Sequence, residues 1–145
     1  MSVGRVCSRV VATATPEESA RVAARRMAEH DVGTLVVVEP DGLSRAVGIV
    51  TDRDLVVRCV AGTRDPESTK VGELMTAPAH CIDEDTPIEE AVRQMAAAGT
   101  RRLVVTGAGQ RMVGILSLDD VLELIIGETT SIGRLLQKQR PSIPA

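Results

Sequence analysis

At 145 residues the chain is long enough for one modest domain or two very small ones, and 43% hydrophobic with 26% charged side chains is the balance of a protein ordered nearly end to end. A net charge of −3 and the complete lack of Phe, Tyr and Trp exclude a protein built to neutralise a polyanion or to stack bases on aromatic rings, so no nucleic-acid partner is expected. No stretch approaches the roughly 20 apolar residues of a membrane-crossing helix, and Cys7, Cys59 and Cys81, odd in number and far apart, read as reduced thiols; the expectation is a cytoplasmic protein with no membrane partner.

A short strand is expected over 10–12. Pro16, Glu17, Glu18 and Ser19 then open a helix over 19–30, with acidic groups at the positive end of its dipole. Ala20, Ala23, Ala24 and Met27 fall at the i, i+3, i+4, i+7 spacing of an apolar stripe. His30 lies near the helix C-terminus, where an imidazole is favourable. A β-branched run over 35–38, a turn containing Pro40, Asp41 and Gly42, and a second strand follow. That strand enters the phrase GIVTDRDL, from Gly48 to Leu55, and a helix is expected over 52–60. Residues 61–70, rich in turn formers, form a linker, and 71–76 lead into the second half.

The same order of elements then returns. A strand is expected over 80–82, Asp85, Thr86 and Pro87 open a helix over 87–98, and its stripe of Ile88, Ala91, Val92 and Met95 lies 68 positions after the first. Leu103, Val104 and Val105 repeat the β-branched strand, and Gly107, Ala108 and Gly109 make a hairpin turn without the helix that a phosphate-binding glycine loop opens. The phrase returns as GILSLDDV, from Gly114 to Val121 and 66 positions after its first copy, so the first copy's turn is two residues longer. A helix is expected over 118–126, and one more over 129–139 with Ile132, Leu135 and Leu136 on one face, packing on its own protein or on a dimer partner. The expected organisation is repeat 1 over 1–65, repeat 2 over 71–128 and a helical tail over 129–145.

Each phrase sets a hydroxyl three positions before a carboxylate: Thr51 and Asp54, Ser117 and Asp120. One reading is a helix cap, in which the two side chains satisfy N-terminal amides. The other is a pair of polar corners at the seam of two related halves, where a ligand is taken up. The two roles are compatible, because a helix N-terminus also favours an anion. No Ser/His/Asp or Cys/His constellation is present, and His80 beside Cys81 lacks metal-ligand spacing, so neither an enzyme nor a metal site is expected.

The β-α-β-β-α duplication, with each unit closing on glycine, two apolar residues, Ser or Thr, and an aspartate three further on, resembles a tandem pair of CBS domains, a Bateman module, over almost the whole chain. The resemblance implies an α/β (α+β) fold of two pseudo-symmetric units packed through their sheets. It implies that adenosine-containing ligands (AMP, ADP, ATP or S-adenosylmethionine) enter clefts between them, as regulatory ligands and not required cofactors. By that resemblance Asp54 and Asp120, with Thr51 and Ser117, hold ribose. Arg101 and Arg102, and more weakly Arg53, reach phosphate, and Ile49, Val50, Ile115, Leu116, Cys81 and Ile82 wall the adenine. Arg101 and Arg102 precede only the second long strand, where the first copy has Gly33 and Thr34, so the two clefts are expected to be unequal. The implied function is a sensor that signals to an unidentified regulated protein, in a homodimer. The alternative is a ligand-free dimerisation and protein-interaction module.

Overall fold

A computed structural model describes residues 1–127 and 131–138. In chain order the elements are α1 (Val3–Val6), β1 (Thr13–Ala14), α2 (Ala20–His30), β2 (Thr34–Val38), β3 (Ala46–Thr51) and α3 (Asp52–Asp54), which runs on as a π-helix (Leu55–Val60). There follow α4 (Val71–Leu74), β4 (Cys81–Asp83), α5 (Ile88–Ala98), β5 (Arg102–Thr106), β6 (Met112–Ser117), α6 (Leu118–Ile126) and α7 (Ser131–Lys138). The fold is the expected mixed α+β one, with two three-stranded sheets of the same topology: β1-β2-β3 and β4-β5-β6, a parallel pair followed by an antiparallel pair in each.

The described residues divide into two compact units, one of Val11–Ala79 and one of Met1–Val10 with those between His80 and Lys138. In the first, α2 buries Ala20, Ala23 and Met27 against Leu35, Val37 and Val50 of the sheet. Ser19 caps the helix by accepting the Val22 N–H, and Asp31 ends it in the left-handed region at φ 53°. Leu55 and Cys59 from the π-helix and Val71 and Leu74 from α4 complete that core. In the second unit α5 buries Ile88, Ala91 and Met95 against Leu103, Val105 and Leu116, and Gly99 ends it at φ 63°. With no aromatic ring available, close approach of alanine-bearing helix faces to β-branched strands fills both cores.

The first ten residues, expected within repeat 1, pack with the sheet of the second repeat. Val3 and Gly4 donate to the carbonyls of Thr86 and Glu84, and Ser8 exchanges both backbone hydrogen bonds with Ile115, at 2.9 and 2.9 Å. In the other unit Val71 and Gly72 donate to Glu18 and Pro16, and Thr76 exchanges both bonds with Ile49, at 2.8 and 3.0 Å. Each sheet is therefore crossed by a strap, Val3–Ser8 or Val71–Thr76, and Val3-Gly4 stands 68 positions before Val71-Gly72.

Three expected elements shift. The strand placed over 10–12 pairs at Thr13–Ala14, and that placed over 80–82 pairs at Cys81–Asp83, because apolar character marks a strand without setting its register. The helix placed over 52–60 winds as α for one turn and then as π, with the Ala61 N–H bonded to the Val56 carbonyl and the Arg64 N–H to that of Cys59. Over six residues an apolar pattern does not separate the two windings. Of the tail, Ser131–Lys138 is helical and lies against α6, with Leu135 exposed, while Thr129, Thr130 and 139–145 lie outside the described residues.

Candidate functional site

The glycine that opens each phrase is there because a strap passes over it. A Cβ on Gly48 would stand 2.8 Å from the Thr76 carbonyl oxygen and 2.7 Å from the Met75 sulfur; on Gly114 it would stand 2.6 Å from the Ser8 carbonyl oxygen and 2.9 Å from the Cys7 sulfur. Three residues beyond each glycine the strand ends and a helix begins, and there the hydroxyl and carboxylate meet. The Thr51 Oγ1 accepts the Asp54 N–H at 3.1 Å while Asp54 Oδ2 accepts the Thr51 N–H at 2.9 Å. Ser117 Oγ accepts the Asp120 N–H at 3.1 Å, and Asp120 Oδ2 accepts from both the Ser117 N–H and the Ser117 hydroxyl, at 2.7 and 2.7 Å. Both corners are thus reciprocal capping boxes, which fix each carboxylate at a helix N-terminus without burying it fully: the Asp54 side chain keeps 15% of its exposure.

The antiparallel register places Thr34 opposite Thr51 and Arg102 opposite Ser117, so each pair projects from the same face of its sheet. The two corners therefore differ by a hydroxyl against a guanidinium. Thr34 Oγ1 is buried with no hydrogen-bond partner among the described residues. Arg101 points elsewhere: it is exposed, and its Nη2 lies 3.7 Å from the carboxylate of Asp119, which is also exposed. Arg53 is exposed on the first turn of α3. At the first corner the Arg58 Nε lies 3.7 Å from Asp54 Oδ1, a contact with no signal in the sequence motif.

The six residues named as adenine walls do not act alike. Val50, Leu116 and Ile82 are core side chains, and strand alternation leaves Ile49, Ile115 and Cys81 on the opposite faces of the sheets. Adjacent residues of one strand face opposite sides of its sheet, so Val50, Leu116 and Ile82 lie away from the face that carries Ile49, Ile115 and Cys81. The Cys81 thiol is pushed up by burial. The Cys7 thiol is also pushed up, by burial first and by the carboxylates of Asp120 and Glu84, against the opposing pull of Arg9. A groove of about 470 Å³ lined by Val11–Thr15, Glu18, Arg26 and His30 shares no residue with the Asp54 corner. Within it Glu18 accepts two hydrogen bonds from Arg26, at 2.7 and 3.0 Å, and the guanidinium holds the carboxyl below its usual range. No group of three His, Cys, Asp or Glu side chains converges as a metal site among the described residues, and no helix there is long and apolar enough to cross a membrane.

The model of the CBS domain matches residues 3–60 and 71–127. The chain belongs to the CBS domain family. An uncharacterized protein of Methanopyrus kandleri is 34% identical over 124 residues, 86% of this chain and 62% of that protein, so the chain spans less than two thirds of this relative's length. Hypoxic response protein 1 of Mycobacterium tuberculosis is 34% identical over 104 residues, 72% of this chain and 71% of that protein. The crystal structure of Hypoxic Response Protein I with two coordinated zinc ions matches with a TM-score of 0.75 at 30% identity, covering 84% of this chain and 97% of that one. The CBS domain pair of protein MJ0100, in complex with 5′-methylthioadenosine and S-adenosyl-L-methionine, matches in fold with a TM-score of 0.77 at 24% identity, covering 89% of this chain and 98% of that one.

Proposed function

We propose that this CBS pair is a non-catalytic regulatory module that takes an adenosine-containing ligand at its glycine-led corners and passes its occupancy to a partner protein. The observation that carries this reading is the repeated carboxylate. In both copies an aspartate is held by a capping box at the end of a strand, close to the sheet edge and partly open to solvent. Asp54 and Asp120 accept the vicinal ribose hydroxyls, hydrogen bonds to a charged group that contribute roughly 1.5 to 3 kcal/mol each. Thr51 and Ser117 hold the carboxylates in place, Arg102 takes phosphate, and Ile49, Ile115 and Cys81 contact the base. That another protein of this fold holds methylthioadenosine and S-adenosylmethionine supports the choice of ligand class. Oligomerisation as a homodimer and a cytoplasmic site of action belong to the same proposal.

A thermal-shift panel of AMP, ADP, ATP, S-adenosylmethionine and NAD tests it. A ligand present at 100 times its dissociation constant adds about 2.7 kcal/mol to stability. The expected result is a shift with at least one compound, reduced about tenfold or more in affinity by Asp54→Asn or Asp120→Asn. No shift with any compound up to millimolar concentration overturns it.

Val56, Val57 and Val60, at 58%, 49% and 65% exposure, and Ile125 at 73%, favour a second reading, a protein-interaction module that needs no small ligand. On that reading Asp54→Asn and Asp120→Asn leave partner binding unchanged, and truncation before Thr129 abolishes it.

A further inference from the structure

Arg58 has no place in the ligand contacts just proposed, yet its guanidinium joins the Asp54 corner to the strap. Its Nε faces Asp54 Oδ1 at 3.7 Å. Its Nη1 donates to the Leu74 carbonyl at 2.8 Å and reaches that of Met75 at 3.3 Å, and its Nη2 donates to Thr76 Oγ1 at 3.4 Å. Leu74 ends α4 and Met75 caps it, so neither carbonyl has a partner within the helix. Thr76 in turn pairs through both backbone bonds with Ile49, two residues before Thr51. Asp54, Arg58, the strap, Ile49 and Thr51 thus form a closed ring of contacts around the first corner.

The second corner is built from different residues. The residue 66 positions after Arg58 is Leu124, and the strap arginine Arg9 turns to the Gly4 carbonyl and Glu84 instead. The π-helix also occurs in the copy that carries Arg58, whereas its counterpart α6 is regular. Single π turns inside α-helices are frequent at functional sites.

We propose that Arg58 is a positioning residue that makes the state of the Asp54 carboxylate felt at the strap Leu74–Thr76. The Asp54 charge orients the guanidinium so that its planar fork meets the strap carbonyls. A ligand that covers Asp54 excludes water, strengthens the Asp54–Arg58 attraction and tightens the strap. Only this last step rests on the ligand reading above.

Amide hydrogen exchange at Thr76 and Ile49 in the ligand-free protein reads the link directly. Asp54→Asn, which keeps the side chain's shape and removes its charge, speeds exchange at both amides roughly fivefold or more. Arg58→Gln does the same, the double variant adds nothing beyond the larger single effect, and Arg58→Lys restores only part. The Ser8 and Ile115 amides of the second repeat stay at their wild-type rates in every variant and serve as the control. If Arg58 merely capped α4, Asp54→Asn would leave the strap unchanged, or the two effects would multiply; either result overturns the proposal. In the second arm AMP and S-adenosylmethionine are added in turn, and whichever raises the melting temperature slows exchange at Thr76 in wild type but not in Arg58→Gln. Equal slowing in both proteins overturns the proposal while leaving ligand binding intact. If neither compound shifts the melting temperature, the ligand-free arm still decides the link.

Discussion

Gly114 and Gly48 show how a single residue type is imposed by a neighbour distant in sequence. Any side chain at Gly114 meets the Ser8 backbone oxygen at 2.6 Å, and backbone cannot move aside as a flexible side-chain tip can. Gly114→Ala is therefore expected to cost about 1 to 3 kcal/mol, measured as a lower urea midpoint at unchanged slope. Gly48→Ala meets the Thr76 carbonyl at 2.8 Å and is expected to behave alike. The Glu18–Arg26 pair makes a prediction about pH. Arg26 lowers the Glu18 carboxyl, so the unfolded chain takes up that proton first. The stabilisation is present above the ordinary glutamate value of about 4.3 and is lost as pH falls through the depressed folded value. Wild type should lose stability on acidification more steeply than Glu18→Gln, and the two should converge at the acid end of a series of thermal melts.

At the scale of elements, the straps matter more than their length suggests. Val3 and Val71 are fully buried, one in each core. Val3→Ala is expected to cost about 2 kcal/mol and to speed amide exchange in β5 while sparing β2, and Val71→Ala the reverse. A protein in which residues 1–10 belonged to the first repeat would show the opposite pattern. The amphipathic helices and β-branched strands were legible because periods of 3.6 and 2 are written into consecutive residues. The straps were not, because four-residue helices such as α1 and α4 carry too few positions for a period, although the Val-Gly pair recurs at the same 68-residue spacing as the helix stripes. The π winding was illegible for the same reason of shortness.

At the scale of the whole molecule the two copies share a frame and differ in chemistry. Thr34 against Thr51 makes a first corner with hydroxyls, and Arg102 against Ser117 a second with a cation. On the proposed function, Arg102→Ala weakens ADP or ATP about tenfold and leaves S-adenosylmethionine unchanged, as measured by titration calorimetry. Equal losses for all of these ligands would remove the assignment of phosphate to Arg102. The strand-end placing of both aspartates was legible in the sequence because duplication sets equivalent residues side by side, and Arg102 stands out there as the position that the first copy fills with Thr34. Arg58 was not, because its partners, Asp54 apart, lie 16 to 18 residues away on the strap.

By itself the sequence determined the duplication, the fold class, the order of helices and strands and the residues at the two strand ends, since each of these is encoded in local periodicity or in comparison of one half with the other. Only the tertiary structure decided which segment completes each unit, which of two neighbouring strand residues enters the core, that Arg101 turns to Asp119, and that Arg58 ties a carboxylate to a strap. Those choices depend on which chain passes over which, and hydrogen bonds between distant segments leave no period in the sequence.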